Sequence, residues 1–158
     1  DLGWRARIFG YRSYYVPQAI IHHHGSAHWK WSPQVFYLLE RNRWLVLLKN
    51  YSLSTLLRLL PSLIIIEFTM LGFFATKGLL LKKFKSYYSI LGLIGHIMKQ
   101  RKIISKKRKI SDNEIIRSFC GTVKIPLEAN NSKLNTIFEK ILSSLCTLSG
   151  YDKIVREP

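Results

Sequence analysis

The sequence predicts a short α/β segment at the N-terminus followed by a mainly α-helical, membrane-associated region. Three observations carry that expectation. A helical spacing of apolar residues near the start is followed by a Tyr- and Val-rich stretch of strand character. The run Leu59 to Thr76 then holds 18 residues with Glu67 as its only charge. Finally, 25 Lys+Arg stand against 9 Asp+Glu, a net charge of +16, and the basic residues cluster beside the apolar runs.

The texture of the chain divides it into residues 1–43, 44–98 and 99–158. In the first region Leu2, Ala6 and Phe9 share one helical face, which predicts a helix from Leu2 to Phe9. Gly10 stops it, as glycine does just past a helix end. Arg12 to Val16 reads as a short strand ended by Pro17, with Ala19 to Ile21 extended. A polar, His-rich stretch follows from His22 to His28. Ser32-Pro33 then starts a helix, with Ser as N-cap and Pro at the first helical position.

The second region raises the membrane question. A run of 18 residues sits at the lower edge of the length needed to cross a bilayer. Pro61 and Glu67 both count against a span, since a carboxylate in hydrocarbon is costly. The run Tyr87 to Met98 has only 12 residues, too short to cross but long enough to lie in the interface or re-enter. The simpler alternative is a helical hairpin buried in a soluble bundle. Lys82, Lys83 and Lys85 separate the runs, and Lys99 to Lys109 follow them. Basic clusters beside apolar helices suit an anionic cytoplasmic leaflet.

In the third region Ser111 and Glu114 form a capping box ahead of Ile115 and Ile116. A further amphipathic helix is expected over about residues 133–148. Cys120 and Cys146 are too few for a disulfide framework and read as ordinary thiols. A charge of +16 asks for a polyanion. The densest basic run follows an apolar helix and is not interleaved with exposed aromatics, so the expected partner is a membrane surface and not nucleic acid. A chain opening on Asp1-Leu2-Gly3-Trp4-Arg5 is expected to be part of a longer protein, and no signal-peptide pattern opens it.

Three features carry candidate chemistry. Imidazole is a common ligand for borderline metals. His22, His23 and His24 cannot all face one ion, because alternate side chains of an extended segment point to opposite sides. Loop histidines without a ligand are the plainer reading. Asp1 opens a helix, where a carboxylate is stabilised by the helix dipole whatever its role. Arg41-Asn42-Arg43 could grip phosphate oxygens, or serve as a basic collar at a membrane interface.

Taken in order, these residues resemble a known family. Asp1-Leu2-Gly3-Trp4-Arg5-Ala6-Arg7, Gly10-Tyr11-Arg12, Val16-Pro17-x-Ala19 and His23-His24-Gly25-Ser26 are similar to the end of the catalytic domain of family 2 glycosyltransferases. The likeness is greatest to rhamnosyltransferase-like and surface-polysaccharide members. It is detailed over residues 1–50 and looser to about residue 118. It implies that residues 1–43 are the C-terminal end of a GT-A, Rossmann-like α/β domain. It also implies inverting transfer from a nucleotide-diphosphate sugar, with a divalent cation (Mg²⁺ or Mn²⁺) on the diphosphate and an Asp as general base.

By the same resemblance, Asp1 matches the last acid of a Glu-Asp-x-Asp motif. The base lies two positions upstream of it, outside this chain, which leaves Asp1 a supporting acid. The metal-ligand His matches His23, with His22 and His24 as its neighbours; His22 stands where the family often has an aromatic residue. Arg41-Asn42-Arg43 resembles the family's Arg-Asn pair, near substrate or diphosphate. The donor-binding half is missing, so this stretch alone is expected to be inactive. The expected acceptor is a lipid-linked or cell-surface glycan, met at the cytoplasmic face of the cell membrane. The rival reading is a non-catalytic membrane-anchoring or interaction module.

Overall fold

The computed structural model describes residues 1–22 and 32–117, together with residue 144. The chain order is α1 (Leu2–Ile8), α2 (Pro33–Asn50), α3 (Leu53–Thr76), α4 (Leu80–Gly92), α5 (Ile94–Lys107) and α6 (Asp112–Ile116). Among the described residues there is no β-strand, which corrects the α/β expectation for the N-terminal region. Arg12 to Val16 is irregular and solvent-exposed, with Tyr14 and Tyr15 at 77% and 88% exposure. The physical reason is the absence of a partner. Strand propensity expresses packing and pairing against neighbours, and no neighbouring strand among the described residues offers them. Pro17 instead sits inside a turn closed by Ala19 N–H donating to Val16 C=O at 3.0 Å.

Local signals set most helix ends. Gly10 takes φ +87°, and two bonds close α1 behind it. Tyr11 N–H donates to Ala6 C=O and Gly10 N–H to Arg7 C=O, at 3.0 and 2.9 Å. The same pattern ends α3 at Gly78, whose φ is +65°. Ser32, Ser52 and Ser111 cap α2, α3 and α6 by accepting from the N–H three residues on. The Ser32-Pro33 start and the Ser111 cap are as the sequence predicts.

α3 begins at Leu53, ahead of the apolar run, and carries Pro61 inside it. It is long and apolar enough to cross a membrane. Only 11% of its most apolar 18-residue window is buried in the molecule, which is not the burial of a soluble core helix. The run Tyr87 to Met98 is divided between α4 and α5 at Leu93.

α2 and α3 are joined by Tyr51 and Ser52 alone, and ring contacts set their pairing. Phe36 near the start of α2 meets Phe73 and Phe74 near the end of α3, with centroids 6.0 Å apart. At the other end Leu47 shares an apolar cluster with Leu56 and Leu59, built around Tyr51 and Ile116. The two helices therefore run antiparallel, meeting through side chains without close backbone packing. α4 and α5 pack along α2. α1 closes this end of the bundle through a core of Ile8, Ile104 and Ile115, flanked by Trp4, Phe9 and Ile110. Trp4 meets Tyr51 edge-on at 4.6 Å.

Candidate functional site

Three polar constellations lie where the helices meet, and the first two treat the predicted residues differently. The first forms around Asp1 at the start of α1. Its carboxylate accepts from Lys49 Nζ at 2.9 Å and from Asn50 Nδ2 at 3.0 Å, both at the end of α2. Arg5 approaches the same carboxylate at 3.4 Å. Asp1 is thus a tie between α1 and the C-terminal turn of α2. Burial, with the nearby Arg5 charge, holds the Lys49 ammonium below its usual range.

The second constellation is a buried charge cluster at the centre of α2, α3 and α4. Glu40 of α2 and Lys83 of α4 have side chains 2% and 0% exposed, and Lys83 Nζ lies 2.9 Å from Glu40 Oε1. Glu67, the lone charge of the apolar run, pairs with Arg43 and with Lys83. Arg43 also pairs with Glu40, one helical turn away. The Tyr87 hydroxyl donates to Glu67. Two acids meet two bases, so the cluster is neutral as a whole, the condition under which buried ions are tolerated. Aromatic faces complete it. The Arg43 guanidinium lies 5.0 Å from the Trp44 ring, and Lys83 Nζ lies 5.5 and 5.1 Å from the Phe74 and Tyr87 rings. Burial pulls the Arg43 pKa down, but the bonds and charges of Glu40 and Glu67 outweigh it and leave it raised. Burial and the Glu67 acceptor push the Tyr87 hydroxyl well above its ordinary value.

This cluster separates the three residues of the Arg41-Asn42-Arg43 stretch. Residues two apart on a helix point about 200° apart. Arg43 turns inward to the acids. Arg41 turns away, bonding Asn42 Oδ1 at 3.1 and 3.3 Å and stacking 5.5 Å from the Tyr37 ring. Only Arg41 and Asn42 face outward, so the stretch does not converge on one anion here. His22 is exposed, in a segment of irregular backbone. His23 and His24 lie outside the described residues, as do Cys120, Cys146 and the helix expected over residues 133–148.

A third polar node lies where α2 ends and α3 and α6 begin. Arg101 donates to the carbonyls of Leu48 and Tyr51, the latter at 2.9 Å. Arg108 reaches Asn50 C=O and Asp112 Oδ1, the latter at 2.6 Å. Asp112 Oδ2 also accepts from Ser52 N–H at 2.8 Å. Burial raises the Asp112 pKa, but the Ser52 and Thr55 bonds and the Arg108 charge outweigh it and hold it low. A shallow cavity of about 250 Å³ opens beside this node, lined in part by Thr55, Arg58 and Ser111. Arginines therefore satisfy the Leu48, Asn50 and Tyr51 carbonyls where α2 ends.

Among the described residues no group of three His, Cys, Asp or Glu side chains could hold a metal ion. Sequence reasoning missed Glu40, Lys83 and Tyr87 as partners. A signal for them was present, since a lone Glu67 in an apolar run demands a cationic partner. No known protein family, curated protein or solved structure matches the chain.

Proposed function

We propose that the chain is part of a membrane-associated, inverting glycosyltransferase of the family 2 type. Its donor is a nucleotide-diphosphate sugar, and its acceptor is a lipid-linked or cell-surface glycan presented at the cytoplasmic face of the cell membrane. The observation that carries this reading is the order and spacing of the motifs from Asp1 through Gly10-Tyr11, Pro17-x-Ala19 and His23 to Arg41-Asn42. The geometry supports it in two ways. Asp1 is tied by its carboxylate to Lys49 and Asn50, so the first motif is fixed against the helix that bears Arg41 and Asn42. Those two residues face outward, available to an anionic group. α3 supplies the apolar surface that a lipid-linked acceptor requires of its enzyme.

His23→Ala discriminates this reading from a non-catalytic anchoring module. Membranes carrying the protein, with its native flanking sequence, are given nucleotide sugars and Mn²⁺ or Mg²⁺. The variant is expected to lose on the order of tenfold or more in transfer at an equal protein level. Unchanged transfer would remove His23 from the site and favour the anchoring reading.

A further inference from the structure

A helix long enough to cross the bilayer does not cross it if its neighbours cannot follow. α2 runs antiparallel to α3 and meets it through side chains, from the Phe36–Phe73 contact to the Tyr51 cluster on which Leu47, Leu56 and Leu59 pack. The Arg43–Glu67 pair lies between these contacts. Glu67 stands about 21 Å from the start of α3 and about 14 Å from its end, at 1.5 Å per residue. In a spanning α3 the cluster of Glu40, Arg43, Glu67 and Lys83 would therefore lie near the midplane of a hydrocarbon layer about 30 Å thick. α2 would carry Arg41 to the same depth, and α4 would carry Lys82 and Lys85. None of these three cations pairs with an acid among the described residues, and cations without a counter-ion are costly at that depth.

The exposed faces have a different character. On α3, Leu53, Leu57, Pro61, Ile64 and Phe68 follow one another at helical spacing within an arc of about 80°. Phe68 is 70% exposed. On α4, Leu81, Phe84, Tyr88 and Leu91 form a second exposed stripe, Leu81 at 84%. Lys85 falls about 40° from Leu81 on that wheel. On α5, exposed Lys102 follows exposed Met98 by one turn. Apolar stripes bordered by lysines are the pattern of helices that lie in a membrane interface, with cations at the level of anionic headgroups.

We propose that α3 does not cross the bilayer. It lies in the plane of an anionic membrane surface beside α4 and α5, its exposed apolar stripe seated at the acyl boundary and its Glu67 face held by α2 and α4. This inference rests on the membrane association in the proposed function, and it deepens that reading by fixing its mode.

Topology is tested without any activity readout, so its failure and the failure of the transferase reading are separable. Ser54→Cys and Thr76→Cys, made singly in a Cys120→Ser, Cys146→Ser background of the full chain, mark the two ends of α3. Sealed membrane vesicles are treated with a membrane-impermeant maleimide. Both positions are expected to react from the same side before detergent. If one end reacts only after detergent, α3 spans and the proposal fails. The lipid surface is tested with vesicles of phosphatidylglycerol and phosphatidylcholine. Phe68→Glu is expected to weaken partition roughly tenfold, and Lys85→Glu or Lys102→Glu about fivefold each, effects that fade as salt rises. Helicity by circular dichroism verifies that each variant folds. If Phe68→Glu leaves partition intact but abolishes self-association in solution, a second copy of the chain covers this face and the proposal is overturned.

Discussion

Two regions of the helical bundle are held by opposite means. Where α1 meets α5 and α6, the contact is apolar, made of Ile8, Ile104 and Ile115 with Trp4 and Phe9 around them. Where α3 meets α2 and α4, the centre is a neutral cluster of four charges, Glu40, Arg43, Glu67 and Lys83, capped by Tyr87. The difference follows from what each helix has to offer. α1 and α5 turn Ile8 and Ile104 inward and carry arginines or lysines among their outward residues. α3 is apolar almost all round, and a solely apolar contact would leave its rotation unfixed, since one face of leucines packs much like another. A single inward Glu selects one face.

That contrast can be broken from the charged side first. Lys83→Ala leaves Glu40 and Glu67 with one cation between them inside the molecule. A loss of about 3–5 kcal/mol of stability is expected, read by chemical unfolding. A joint Glu67→Leu, Lys83→Met replacement keeps the Glu40–Arg43 pair and is expected to cost far less than Lys83→Ala. If the joint change costs more, the cluster is not behaving as a set of compensating charges. On the apolar side Ile104→Ala is expected to cost about 2–4 kcal/mol through the cavity it leaves. Charge at neighbouring positions should not alter that figure.

A smaller effect distinguishes the regions by pH. Asp112 has a depressed pKa in the folded chain, so below the ordinary aspartate range, about pH 4, the unfolded chain takes up the proton first. Stability at the α3–α6 node is expected to be present above that range and to fall as pH drops through the folded value. Asp112→Asn should remove this dependence. Tyr87 has a raised pKa, so its contribution is present below about pH 10 and is lost as pH rises through the folded value. Tyr87→Phe should remove the alkaline limb and leave the acid limb unchanged. The smallest effect is expected at the Ser52 cap. Ser52→Ala costs about 1 kcal/mol, because the Ser52 N–H still reaches Asp112 while the cap on Thr55 is lost.

The same contrast explains what could be read from the sequence. Features set within a few residues were legible. Ser32-Pro33 starts α2, Ser111 caps α6 and Gly10 ends α1. Features set by a distant partner were not. Arg12 to Val16 has strand composition but finds no strand to pair with among the described residues. Lys83 reads as one lysine of a basic cluster between the apolar runs, yet it is fully buried, because Glu40 and Glu67 lie 43 and 16 positions earlier and only the fold brings them together. Arg43 reads as one of a phosphate-gripping pair with Arg41, and helix geometry alone sends the two apart. For the candidate site, motif order placed Asp1 and Arg41-Asn42 in sequence. The tie of Asp1 to Lys49 and Asn50 came from the fold.

Sugar transfer tests the central claim most directly. Membranes from cells that make the protein with its native flanking sequence are incubated with a series of labelled nucleotide-diphosphate sugars. They are compared with membranes from cells lacking it. Label from one donor is expected to enter the lipid-extractable or glycan fraction only when the protein is present. Equal incorporation in both membranes for every donor would contradict the glycosyltransferase reading and leave a membrane-surface module in its place.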